Sequence, residues 1–368
     1  MTGKRIGNVK FEVGATICTI LLLAPVVLSQ TIPTSKSQLN SWFSSTIKPL
    51  SARKDSLDAE LATAEAEPQV IKVKQDGSGE FDTLTKAIAS VPPGNTKRVI
   101  ISIGPGVYME KIKIDRMKPY ITLLGDAQAI PNITFDGTAK KYGTVDSATL
   151  IVESDYFVAS NINIVNSAPK PDGVMVGAQA AALRISGSMA AFYNCKFIGY
   201  QDTLCDDRGY HFFKDCYIYG TVDFIFGSGT SIYLNSELYV EGDSGLTVIT
   251  AQARESAAEK TGYIFVHCSI TGTGNGTYLG RAWKTHPRVV LAYTDISEIV
   301  NPEGWSDKFH PERESTVFFG EYKCTGKGAS STGRVKFTKA LTDDQVKPFL
   351  DLSFIDAMKW LLPPPNKV

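Results

Sequence analysis

The 368-residue chain carries 38 basic and 38 acidic side chains, so its formal charge is zero and nothing in it favours nucleic acid or an acidic surface. It is 43% hydrophobic and 21% charged, with 31 Gly and 15 Tyr to supply turns and strands, the composition of a globular protein. That length can hold two ordinary domains, but all-β solenoids and barrels often use it for one.

At the start, Lys4, Arg5 and Lys10 precede an apolar run from Gly14 to Leu28, with small Val27 and Ser29 placed before Gln30. The run is short for a bilayer span, which needs about 20 residues. The pattern predicts a signal peptide over residues 1–29, with an uncleaved anchor as the alternative. Its removal leaves 35 basic against 37 acidic groups and takes Cys18 away, so six cysteines become five. An odd number excludes a full disulfide scaffold. Asn132-Ile133-Thr134 and Asn275-Gly276-Thr277 are glycosylation sequons that fit secretion.

Residues 30–67 are rich in Ser, Thr, Lys and Glu and read as a linker with one short covering helix around Leu57, Leu61 and Ala64. From Val70 onward short apolar runs recur between Gly, Asn and Asp, among them Val70–Val73, Arg98–Ile103, Ile121–Leu124, Phe157–Val165 and Arg288–Leu291. Their β-branched and aromatic bias marks strands.

The runs also repeat. Tyr193-Asn194-Cys195-Lys196-Phe197-Ile198-Gly199 returns 21 residues later as Lys214-Asp215-Cys216-Tyr217-Ile218-Tyr219-Gly220. Val266-His267-Cys268-Ser269-Ile270-Thr271-Gly272 is a third copy, and Leu234-Asn235-Ser236-Glu237-Leu238 a weaker fourth. A period in the low twenties without long amphipathic helices predicts an all-β fold, the parallel β-helix, and argues against a doubly wound α/β sheet. Residues one coil apart then stack at roughly 4.8 Å, which makes Cys195 and Cys216 rungs of an interior ladder, read as buried free thiols because no His or Cys sits at metal-ligand spacing, with a disulfide or metal pair as the alternative.

At the C-terminus Thr342 to Gln345 is a capping box, and Ser353 to Asp356 starts a second helix carrying Phe354, Ile355, Met358 and Trp360. These helices are expected to protect the open strand edges of the solenoid. The expected division is therefore residues 1–29, 30–67, a β-helix domain over 68–362, and a tail from 363 to 368.

Applied to polar residues, the coil period collects a set. Gln179 and Gln201 are 22 apart, and Asp202 and Asp223 are 21 apart, so three coils present two amides and two carboxylates in one patch. Carboxylates in apolar sequence are costly unless something satisfies them. Amide N–H groups can hold an oxyanion, one ionised carboxylate can attack a carbonyl, and a protonated one can supply a proton. Polar ladders at coil turns are the structural alternative. The four histidines, His211, His267, His286 and His310, form no catalytic motif, and no Gly-x-Ser-x-Gly elbow is present. Leu279-Gly280-Arg281-Ala282-Trp283 adds a guanidinium that could keep an aspartate ionised and an indole that could face a sugar ring.

The chain resembles the pectinesterases over about residues 68–362. The blocks that carry the resemblance are Gly106-Val107-Tyr108-Met109-Glu110, Gln179-Ala180-Ala181-Ala182-Leu183, Gln201 to Leu204, Asp223 to Gly227 and Leu279 to Trp283. The resemblance implies a right-handed parallel β-helix that removes methyl esters from polygalacturonate without a cofactor or metal. It implies Asp223 as nucleophile, Asp202 as acid then base, Gln179 and Gln201 as oxyanion donors and Arg281 as orienter of Asp223. It further implies substrate contacts from Gln179, Arg281, Trp283, Thr149 and Phe226. The family often has Pro where Ala282 stands, and its C-terminal block differs at Cys324 and Lys327. Without an N-terminal inhibitory domain the chain looks like the shorter plant class, secreted to the cell wall. The expected partners are methyl-esterified pectin and, as a further candidate, a proteinaceous inhibitor; a monomer is expected, with no nucleic acid and no membrane once the signal is removed.

Two rivals stay open on sequence. One is a polygalacturonase-like glycosidase using Asp206 and Asp207, although adjacent residues of one strand point to opposite faces. The other is a non-catalytic pectin-binding protein of the same fold.

Overall fold

The computed structural model describes residues 1–3, 30–242 and 245–365, so Cys18 and the apolar run of the expected signal peptide lie outside the described residues. Short strands wind into three parallel sheets, one of eleven strands and two of eight. One coil runs through Ala190–Tyr193 in the large sheet, Lys196–Ile198 in a second and Leu204–Asp206 in a third. The next runs through Tyr210–Lys214, Tyr217–Gly220 and Val222–Gly227. Tyr193 pairs with Lys214, Phe197 with Ile218 and Leu204 with Ile225, so the 21-residue sequence repeat is one turn of a parallel β-helix.

The corners explain the Asn, Asp and His of the repeat. Asn161, Asn194, Asp215, Asn235 and His267 each follow directly on a strand of the large sheet and have φ between 49° and 58°. This left-handed conformation is most accessible to Asn, Asp and His among residues with a side chain. Each corner N–H donates to the last carbonyl of the next coil's strand: Asn161 to Tyr193, Asn194 to Lys214 and Asp215 to Leu234, at 3.0–3.1 Å. The side chains continue the ladder, with Asn194 donating to Asn161 at 2.8 Å and Asn235 to Asp215 at 2.6 Å. His267 instead stacks on Tyr293 with ring centres 4.9 Å apart. Its role is structural, as its place in a repeat implies.

The residue after each corner turns inward. Cys195, Cys216 and Cys268 are buried free thiols, each donating to the carbonyl two residues back at 3.4–3.6 Å. Ser236 and Thr294 donate to the same carbonyl position in their own coils at 3.3 Å. A small side chain with one weak donor fits this place, which is why Cys, Ser and Thr interchange there. Beside this column, Phe192, Phe213, Tyr233 and Phe265 stack face to face with ring centres 4.5–4.7 Å apart.

The terminal segments cover the outer face of the large sheet rather than its strand edges. Phe43, on a helix spanning Leu39–Thr46 that sequence reading missed, stacks on Phe212 at 5.8 Å. The expected helix near Leu61 spans Ala59–Ala64, and the capping box at Thr342 forms with Gln345. Ile355 and Trp360 bury themselves in the same layer, on a 3-10 turn Leu352–Ile355 and a helical turn Ala357–Trp360. The large sheet presents Ala191, Phe212, Ile232, Ile264 and Val290 on this outer face. Such apolar area needs cover more than the strand ends do. A second missed helix, Leu84–Ser90, packs against the first coils with Leu84, Ala87 and Ile88 in the interior. Its i, i+3, i+4 apolar spacing was legible, but the helix is short.

Phe213 touches aromatic rings in the coils before and after it, so Phe213→Ala should cost about 3–5 kcal/mol. Urea unfolding followed by far-ultraviolet circular dichroism measures this.

Candidate active site

Asp202 and Asp223 occupy the corner that leads into the third sheet. Both are left-handed, with φ 65° and 49°, and the Asp202 N–H donates to the Val222 carbonyl at 3.0 Å. Leu204 and Ile225, each two residues further on, are paired. The two carboxylates therefore stand one coil apart on one face, at a rise of roughly 4.8 Å. The strand Val222–Gly227 changes register against Val248–Gln252 between Val222 and Ile225, so Asp223 lies in a β-bulge. Bulges re-aim a side chain, here an acid.

Arg281 reaches this corner from two coils away. Ile225 pairs with Thr250 and Thr250 with Gly280, which puts Arg281 in line with Ala251 and Phe226. Ala251 leaves room for the guanidinium to pass. Gly280 is required by close approach, because a Cβ there would lie 2.2 Å from the Thr250 hydroxyl. An Nη of Arg281 donates to Asp223 Oδ2, while Asp223 Oδ1 is buried with no protein partner.

Only 8% of Asp202 and 5% of Asp223 is exposed. Burial raises the pKa of both. For Asp202 the charge of Asp223 adds to this, and the shift goes well above the usual carboxylate range. For Asp223 the charge and hydrogen bond of Arg281, helped by Lys308, pull the other way. Burial therefore favours the protonated form at both acids, and Arg281, which touches only Asp223, opposes it more directly there than at Asp202.

Gln179 and Gln201 arrive by the same register. Ala180 N–H donates to the Gln201 carbonyl at 3.0 Å, and the Gln179 carbonyl accepts from Ala139 at 2.7 Å. Both glutamines are half-buried, and neither side-chain amide has a hydrogen-bond partner among the described residues. Phe226 is half-buried in the same sheet, and Trp283 is 40% exposed beside Arg281, whose guanidinium carbon lies 5.3 Å from the ring centre.

Thr149 differs from expectation. It is fully buried, and its hydroxyl donates to the Val165 carbonyl at 2.8 Å, so its side chain braces a bend rather than lying open at the surface. Ala282 donates its N–H to Ser306 at 2.9 Å, a bond proline could not make, and Arg313 clasps the Ala282 and Trp283 carbonyls at 2.6 and 2.9 Å. The loop is therefore held without proline. Sequence reading missed Arg313 and Lys308, whose ammonium sits 3.3 Å from the Trp283 ring centre. Coil arithmetic could have found Lys308, since Arg281 pairs with Ser306.

The rival pair separates. Asp206 points into the solenoid, bonded to His211 at 2.5 Å and Tyr233 at 2.7 Å, whereas Asp207 turns outward to Arg184 at 3.2 Å. They cannot share one substrate. The block Gly106 to Glu110 is also structural: Glu110 accepts from the first two N–H groups of the helix Leu84–Ser90 at 2.9 and 2.8 Å.

A family model described as Pectinesterase matches residues 70–358. The chain belongs to the pectinesterase family. It is 55% identical to Pectinesterase 1 of Olea europaea over 356 residues, covering 96% of this chain and 97% of that one. Among solved structures, a pectin methylesterase from carrot superposes with a TM-score of 0.76 at 31% identity, covering 82% of this chain and 99% of that one. A pectin methylesterase in complex with a hexasaccharide superposes with a TM-score of 0.66 at 28% identity, covering 82% and 100%.

The raised pKa of Asp202 carries a stability signature. Its fold favours the protonated form, so this contribution is complete below the unfolded value near 3.9 and is lost as pH rises through the window up to the folded pKa. Asp202→Asn, neutral at every pH, should melt higher than wild type at pH 7 and lose that advantage near pH 3. Calorimetry at the two pH values checks the sign.

Proposed function

We propose that the protein hydrolyses the methyl esters of pectin galacturonate with Asp223 as the nucleophile. The observation that carries this reading is the asymmetry of the Asp223 carboxylate. One oxygen is fixed by Arg281, and the other is buried, unpartnered and beside an acid that keeps its proton. Asp223 attacks the C6 carbonyl carbon, and the oxyanion that forms accepts hydrogen bonds from the free amides of Gln179 and Gln201. As the C–O bond to the methoxy group breaks, Asp202 passes its proton to that oxygen and methanol departs. An anhydride between Asp223 and the galacturonate carbonyl remains. Asp202, now ionised, takes a proton from water, whose oxygen attacks the galacturonate carbonyl. Collapse releases the free galacturonate and restores the Asp223 carboxylate, and the proton is back on Asp202.

Arg281 acts through Asp223, keeping it ionised in a dry site. Trp283 and Phe226 offer apolar faces to the sugar chain, which is consistent with the hexasaccharide bound by the solved relative. Esterified pectin is thus the substrate, and the cell wall outside the cell the place of action. A signal peptide over residues 1–29, action as a monomer and capture by a proteinaceous inhibitor remain parts of the same proposal. Of the two sequons, Asn275 is the better acceptor. It is exposed in a turn, whereas Asn132 lies in a strand and accepts from Asn163 at 3.0 Å.

Methanol release from esterified pectin tests the activity. Asp223→Asn and Asp223→Ala should fold and release none above background, and Arg281→Lys should be severely impaired because a compact ammonium on a different stem does not reproduce the planar guanidinium that holds one oxygen of Asp223 while lying beside Trp283. Gln179→Ala and Gln201→Ala should each lower kcat about 10²–10³-fold with KM little changed, as expected for donors that act in the transition state. A folded Gln201→Ala enzyme with more than half its kcat would remove the oxyanion assignment.

A further inference from the structure

Gln179 has to aim a side-chain amide that no described residue holds, from a stretch of chain that belongs to no strand. Residues 167–182 leave the strand Asn163–Asn166 and return only at Leu183–Ile185. The tip of this loop is open to solvent, with Val174 and Val176 more than four-fifths exposed. Whatever fixes Gln179 must therefore act where the loop ends.

Two buried side chains act there, and the mechanism uses neither. Asn166 is 3% exposed, and Ser147 is fully buried. Asn166 Nδ2 donates to the Ala181 carbonyl at 2.8 Å, the Gly137 carbonyl at 2.9 Å and the Ser147 carbonyl at 3.3 Å. Its Oδ1 accepts from the Ala168 N–H at 3.0 Å. These partners fix which way the amide points, because carbonyls only accept and an N–H only donates. Ser147 Oγ accepts from the Ala181 N–H at 3.0 Å and donates to the Thr144 carbonyl at 2.6 Å. Both backbone polar groups of Ala181, two residues after Gln179, are thus held by buried side chains. Asn166 also ties the two ends of the loop, at Ala168 and Ala181, to each other and to the preceding coil. A buried polar hub with every group satisfied specifies one arrangement of the chain.

We propose that Asn166 and Ser147 are positioning residues for Gln179, setting the backbone from which its amide reaches the oxyanion. The inference rests on the oxyanion reading above. Hydrogen bonds are directional where apolar packing is not, so the pair holds the Ala180–Ala181 backbone at one height against the Gln201 carbonyl, to which the Ala180 N–H donates at 3.0 Å. Misplacing a group that acts in the transition state by about 1 Å can cost about 10²-fold in rate. Acting only through Gln179, the two residues cannot lower kcat more than its removal does.

A double-mutant cycle on methanol release from esterified pectin tests this, at a temperature where circular dichroism shows every variant folded. Asn166→Ala and Ser147→Ala should each lower kcat about 10–10²-fold, with KM within about twofold of wild type. In the Gln179→Ala background neither should lower kcat further, because the group they place is gone. Their loss of melting temperature should be the same in both backgrounds, which separates positioning from stability. If Asn166→Ala does not fold, Ser147→Ala carries the cycle alone, since it leaves the side chain of Asn166 in place. A kcat above half of wild type in the folded variants, or an equal fall with and without Gln179, overturns the proposal. A Gln179→Ala enzyme that keeps its own kcat would instead overturn the oxyanion reading, and this inference with it.

Discussion

The parallel hydrogen-bond register from coil to coil is the constraint on which everything else depends. It is maintained through the corners as well as the strands, because left-handed Asn, Asp and His residues keep donating to the next coil where the chain turns. A slip of one residue would turn the interior column of Cys195, Cys216, Ser236 and Cys268 outward and break the aromatic stack from Phe192 to Phe265. The same register sets Asp202 over Asp223. Structural and chemical placement are one geometric fact.

The second corner shows what that rigidity is used for. Two acids less than a tenth exposed, one unpartnered carboxylate oxygen and one unpartnered guanidinium nitrogen are all unfavourable for stability. The solenoid holds them because backbone bonds tie this corner to the next coil, among them Asp202 N–H to the Val222 carbonyl at 3.0 Å and the paired strands that follow. A buried ion pair between Arg281 and Asp223 supplies little net stability. Its effect is electrostatic: it opposes the burial that raises the pKa of Asp223, through both charge and hydrogen bond, whereas Asp202 gets only the charge.

The family blocks divide by physical role. Gly106 to Glu110 caps a helix at the first coils, and Gln179 to Leu183 seats small alanines so that neighbouring turns approach closely, with Thr149 and Ala181 bonded at 3.1 Å. Asp206, close to Asp202 in sequence, belongs to a buried network with His211, Tyr233 and Tyr263. Sequence proximity to an active residue therefore says little about role, whereas position within the coil says a great deal.

The sequence by itself determined the coil. The 21-residue spacing of Asn194-Cys195 and Asp215-Cys216 appears in the structure as hydrogen-bonded rungs, and the same arithmetic brought Gln179, Gln201, Asp202 and Asp223 together. Parallel register turns linear distance directly into stacking, so a period is enough. Tertiary structure alone decided whatever crosses between coils at an angle or packs from outside the repeat. The helices Leu39–Thr46 and Leu84–Ser90 are short, and even the legible apolar spacing of the second becomes a helix only against the apolar face it covers. Thr149 became a brace because Val165 lies over it, and Lys308 joined the site because a strained loop folds it onto Trp283. Those contacts join residues with no shared period, and burial and side-chain reach, which decide them, exist only once the coils are stacked.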